Sequence, residues 1–177
     1  MQDMAKWIER RFRYAPPPDE FPMIVERLRG TTVRLEGKIR TTPAEHLTSR
    51  TGDAWSIQEH IGHILDLEPL WSGRVDELLS GAKTLSAADM TNRKTWDANH
   101  NQRDIEEILS EFATARESMT QRLDSLRIDQ VVASARHPRL DQPMRLVDLC
   151  WFVAEHDDHH LTRITRLQRT FVARTNE

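Results

Sequence analysis

Eight histidines are many for a chain of this length, and five of them fall in two short stretches: His60 and His63 in one, His156, His159 and His160 in the other. His156 and His160 are four residues apart, so on an α-helix both imidazoles point from one face toward a common point, the geometry of a two-pronged metal clamp. A third ligand from a neighbouring helix would complete the set and leave coordination positions open for water or substrate. The apolar stripe around them centres on Leu149, Val153 and Ile164. His160 falls within it, His156 at its margin, and His159 further toward the polar side. An imidazole nitrogen left unpaired in a core costs on the order of 1 to 3 kcal/mol, so these rings need either hydrogen-bond acceptors or a metal.

The other stretch offers two candidates for the third position. Against the stripe of Ile57, Ile61 and Ile64, periodicity favours His60 as the inward residue and puts His63 at the edge beside Leu67 and Leu70. Glu68 also faces inward, next to Trp71. There it could be an oxygen ligand, a general base or the partner of an arginine, because an unpaired buried carboxylate is costly. Nitrogen ligands argue against calcium or magnesium and permit zinc, nickel, iron or manganese.

Weaker candidates surround these. Asp157 and Asp158 could orient an imidazole, but solvated acidic residues are the expectation there. Arg163 and Arg166 suit the negative end of a helix or a carboxylated substrate. The polar run Thr91 to His100, with Trp96 inside it, could wall a pocket. Cys150 reads as a small buried apolar residue. Gly-x-Ser-x-Gly, P-loop and paired CxxC patterns are all missing from the sequence, which removes serine hydrolase, NTPase and zinc-finger chemistry.

The elements that must position these groups are helical. The 177 residues make one domain's length, with 30% charged residues, a mean hydropathy of -0.65 and only six glycines. Apolar residues at helical spacing predict helices over about 22–39, 56–80, 103–126 and from Pro143 to about 169. Ser56 and Glu59 form a capping-box signature ahead of the second. Together they predict an all-α four-helix bundle with long crossover connections. The connection over 82–102 is long enough to be a lid or pocket wall, and the one over 127–142 could hold a short extended piece at Val131 and Val132. Residues 1–18 read as an N-terminal docking arm with aromatic anchors and a proline linker, 19–170 as the bundle and 171–177 as a tail.

Two stretches carry a family resemblance. Trp55-Ser56-Ile57-Gln58-Glu59-His60-Ile61-Gly62-His63 resembles the second-helix signature of the DinB-like superfamily of metal-binding four-helix bundles. There a Trp-Ser/Thr pair caps the helix and the metal histidine stands eight residues after the tryptophan, the position of His63. Phe152 to Ile164 resembles the family's closing motif, whose two ligands fall on His156 and His160. The resemblance thus implies His63, His156 and His160 as the metal set, and overrides the periodicity that preferred His60. It implies a divalent metal, zinc or nickel above all, and in some members a low-molecular-weight thiol as cosubstrate, with thiol transfer or hydrolysis as the chemistry.

The resulting expectation is a metal-dependent enzyme that activates a thiol or water against a small electrophilic substrate, with Glu68 as a catalytic candidate. The rival is a non-catalytic metal-stabilised bundle or a small-molecule binding module. A net charge of -3 without charge blocks argues against nucleic acid as a partner, and no run is long enough to span a membrane. A single cysteine and a polar start predict a cytoplasmic protein. Amphipathic helices with Trp7 and Phe12 exposed on the arm predict a homodimer.

Overall fold

The computed structural model describes residues 5–12 and 16–175, and those residues form the bundle. The four long helices are α1 (Phe21–Arg40), α3 (Ile57–Leu79), α5 (Ile105–Asp124) and α7 (Leu146–Thr175). Between them lie the short helices α2 (Ala44–Leu47), α4 (Arg93–Asp97) and α6 (Ile128–Val131) and the strands β1 (Ser134–His137) and β2 (Gln142–Arg145). Helices α1 and α3 each pack against both α5 and α7, so the order around the bundle is α1, α5, α3, α7. Consecutive long helices α1 and α3 are therefore diagonal, as are α5 and α7, which is why the connections cross over.

Local chemistry sets the helix ends. The Ser56 side chain accepts from the Glu59 amide at 3.1 Å while Glu59 Oε2 accepts from the Ser56 amide at 2.9 Å, a reciprocal cap that starts α3. Asp104 caps α5 by accepting from Glu106 N–H at 2.7 Å. The last helix continues past the expected end near 169 to Thr175. The stretch read as a tail is helical that far, with Phe171 buried and stacked on His46.

The core is split. One apolar cluster contains Leu28, Trp71, Met119 and Val153, the other Leu35, Ile64, Phe112 and Leu161. On every long helix, the residue lying between the two clusters is polar: Thr31 on α1, Glu68 on α3, Arg116 on α5 and Asp157 on α7, all buried. Arg116 donates to Glu68 at 2.6 Å and to Asp157 at 2.5 Å, and Thr31 donates to Asp157 at 2.8 Å. Burial works against the Arg116 charge, but Asp157 and Glu68 outweigh it and hold the guanidinium pKa above its ordinary value. Glu68 is thus an ion-pair partner, and Asp157 is buried where solvation was expected. Asp158 is also engaged, with Arg34 Nη1 at 2.5 Å and Arg27 Nε at 3.0 Å.

The connections hold more structure than the pattern suggested. Val131 lies in α6, and the extended chain comes later, as the antiparallel hairpin β1–β2 with Ala135, His137 and Met144 buried. This hairpin is fixed by the preceding crossover, since Leu85 N–H donates to the Arg136 carbonyl and Arg136 N–H to that of Lys83. The arm folds back on its own chain: Trp7, in a 3₁₀ turn Trp7–Glu9, packs edge-on to Phe152 at 5.0 Å, and Phe12 is buried. Trp7 is half-buried in this position, and Ile8 beside it stays exposed.

Candidate metal centre

α3 presents His63 and α7 presents His156 and His160 at one point. All three are buried, and one nitrogen of each lies within 4.8 Å of the others. His63 Nδ1 is 3.0 Å from Thr95 Oγ1, and His160 Nδ1 is 2.9 Å from His60 Nδ1. Both rings are thereby held from one side, with Nε2 turned away from the partner. His160 Nε2 lies 3.2 Å from His156 Nε2. Two nitrogens bound tetrahedrally at 2.0 to 2.1 Å from one ion stand about 3.3 Å apart, so that separation fits a shared cation. His156 Nδ1 has no hydrogen-bond partner among the described residues. Its ring is instead set by edge contacts to Trp7 at 5.0 Å and Trp71 at 5.8 Å.

Burial, reinforced by the neighbouring imidazoles, drives His156 and His160 well below the ordinary histidine range. Burial also takes His63 down to about 4, against the opposing pull of Asp66. Three neutral, buried imidazoles with lone pairs converging on one point are a donor set suited to a borderline divalent transition metal. The residues present fit the ion that the sequence motifs imply.

Behind His63 runs a chain of polar contacts the sequence did not disclose. Thr95, on α4, also hydrogen-bonds Asp66, whose Oδ2 accepts from His100 Nε2 at 2.8 Å. Burial works to raise the Asp66 carboxyl, but His100, Thr95 and Lys94 hold it below its ordinary value. With the Thr95 hydroxyl donating to Asp66, Thr95 Oγ1 accepts from His63 Nδ1–H, which leaves His63 Nε2 bare for a metal. His100 is seated against Gly62, where a Cβ would come within 2.2 Å of the imidazole. That glycine was the available signal, since an interior helix glycine costs about 1 kcal/mol and usually marks close packing.

The remaining candidates fall as follows. His60, which periodicity put inward, is buried as the partner of His160, with burial pushing it down to about 3. His159, expected toward the polar side, is buried against Trp7 at 5.7 Å and pushed down to about 4 by burial. Glu68 belongs to the Arg116 layer. Cys150 is buried, its thiol pushed up to about 12 by burial. The three histidines open onto a cavity of about 700 Å³ walled by Trp7, Trp55, Trp71 and Trp96, with Arg163 and Arg166 on its α7 side. The crossover expected to wall a pocket does so through Ala87 to Met90, Asn92 and Trp96.

The model of the DinB superfamily matches residues 13–164. The chain belongs to the DinB superfamily. Among solved structures, this DinB chain is similar to YfiT from Bacillus subtilis, described as a probable metal-dependent hydrolase with an unusual four-helix bundle topology. The TM-score is 0.79 at 17% identity, over 92% of this chain and 94% of that one. At that identity the likeness speaks for the DinB bundle. No curated protein matches the chain, and no described helix is long and apolar enough to cross a membrane.

Proposed function

We propose that the chain is a divalent-metal-dependent enzyme whose ion is held by His63, His156 and His160, and which activates a thiol or water against a small electrophilic substrate. The observation that carries this is the convergence of three buried neutral imidazoles at the floor of an open cavity. The name given to YfiT supports the hydrolytic form. When bound, the ion supplies Lewis acidity that lowers the pKa of a bound water or thiol into the neutral range. Thr95 and His60 orient the His63 and His160 rings, and Trp7 and Trp71 pack against His156. The tryptophan walls give the cavity a largely apolar lining. His159 stands in the cavity wall, its ring centroid 5.4 Å from that of His160. Of the ions this donor set permits, zinc and nickel are those the family resemblance favours, and a low-molecular-weight thiol is the cosubstrate in the transfer form.

The test is elemental analysis of tag-free protein beside His156→Ala, followed by turnover of 1-chloro-2,4-dinitrobenzene with cysteine and of p-nitrophenyl acetate in water. About one transition metal per chain, lost in the variant, together with turnover lost in parallel, is the expected result. No metal in either sample would sink the proposal. Metal without turnover, combined with a much lower melting temperature for the variant with all three histidines changed to alanine, would instead favour a metal-stabilised structural bundle.

A further inference from the structure

The cavity has a charge asymmetry that the metal reading leaves unused. Four arginines (Arg74, Arg139, Arg163 and Arg166) line it against two aspartates, Asp53 and Asp89. Asp89 is turned to its own loop, accepting from the Thr91 hydroxyl at 2.6 Å and from the Thr91 and Arg93 amides at 2.8 and 2.9 Å. Arg74 is tied to the Ser86 carbonyl at 2.7 and 3.0 Å. Arg163 differs. It is half-buried on α7, three residues beyond His160 and so on the neighbouring turn of the same face. Its guanidinium makes neither an ion pair nor a hydrogen bond with any described residue, although its charge is felt at His60 and His159.

A guanidinium held beside apolar walls loses part of its hydration and, without an anion, recovers none of it. Its planar fork matches a carboxylate through two parallel N–H···O bonds, and the low polarity of the tryptophan walls strengthens that pairing. We infer that Arg163 is the anion-binding residue of the cavity, and that the molecule bound there is an aromatic or apolar compound bearing a carboxylate. Its flat apolar part lies against Trp55, Trp71 and Trp96, and its carboxylate on Arg163 beside the histidine cluster. The inference rests on the proposed function for its reading of the cavity as a substrate site, and it specifies the substrate class.

Phenylacetate and its neutral isostere phenylacetamide test it, with binding followed by tryptophan fluorescence on the protein as purified. Phenylacetate should bind about tenfold more tightly. Arg163→Gln should remove that preference while leaving phenylacetamide affinity within about twofold, and Arg163→Lys, which keeps the charge without the fork, should retain only part of it. Should Arg163→Gln fail to fold, the lysine variant carries the test: an undiminished preference there counts against the inference. Equal affinity for the two probes, no binding of either, or a preference that survives Arg163→Gln overturns it. The last outcome would place the carboxylate on the metal or on another arginine. Metal content measured on the same samples separates the two readings. A chain without metal but with an Arg163-dependent preference would lose the proposed function and keep the anion site.

Discussion

Thr95 Oγ1 lies 3.0 Å from His63 Nδ1, so a side chain from the crossover between α3 and α5 holds the ring of a histidine on α3. The connection is thereby part of the site. Replacing Thr95 by valine keeps the shape and removes the acceptor. Metal affinity, measured by competition with a chromophoric zinc chelator, should fall about 10- to 100-fold with the fold intact. Unchanged affinity would show that the hydroxyl does not orient His63.

Acid should destabilise the metal-free chain well before its carboxylates titrate. Burial holds His60 at about 3 and both His137 and His159 at about 4 in the folded state, against 6.5 when free. Between those values the unfolded chain binds more protons than the folded one, so stability falls as pH drops below about 6.5, by about 1.4 kcal/mol per pH unit for each such histidine. Above that range these groups contribute no slope. Melting temperatures of chelator-treated protein should be level from pH 8 to 7 and decline steadily toward pH 5, and a flat profile would contradict the burial of these rings.

Glycine to alanine inside a helix ordinarily stabilises by up to about 1 kcal/mol. At Gly62 the sign should reverse, because the new methyl would meet the His100 ring. Overpacking should cost about 1 to 3 kcal/mol in urea unfolding and, by displacing His100 from Asp66, weaken metal binding as well. A stabilised Gly62→Ala variant would mean that His100 is not seated there.

Arg116→Met should be among the most destabilising substitutions in the chain. It leaves Glu68 and Asp157 buried without their shared cation, at a cost of about 3 to 5 kcal/mol by chemical denaturation. Glu68→Gln, by contrast, should leave metal stoichiometry at its wild-type value, since Glu68 points at Arg116. Loss of metal in that variant would return Glu68 to the site.

The long helices were legible because each carries a sustained apolar period and, for α3, a capping box; the first three observed spans lie within two residues of the expected ones. The fourth ran on because Phe171 finds a pocket against His46 that periodicity alone does not announce. The hairpin was misplaced to Val131 and Val132. β-branched residues suggested a strand there, whereas the actual strands are four residues each and owe their position to backbone bonds from Lys83 and Leu85. Asp157 looked solvated because its partners, Arg116 and Thr31, sit on other helices, and a single helix's wheel carries no information about what faces it. His60 and His63 divided periodicity from the family motif, and both rings are buried: His63 in the cluster, His60 against His160.

Like Ile8, Trp7 reaches the cavity wall from the arm rather than from the bundle. Joined to α1 by a short stretch containing Pro16, Pro17 and Pro18, it is a tethered occupant held at an effective concentration on the order of millimolar. Weak docking is then enough to keep it in place. A molecule that needs the surface over His156 and His159 must displace it, and one that stacks on the indole is retained by it. Affinity at this site is accordingly a property of the arm as well as of the bundle, and removing the arm would change which molecules are held while also taking from His156 and His159 the indole packed against them.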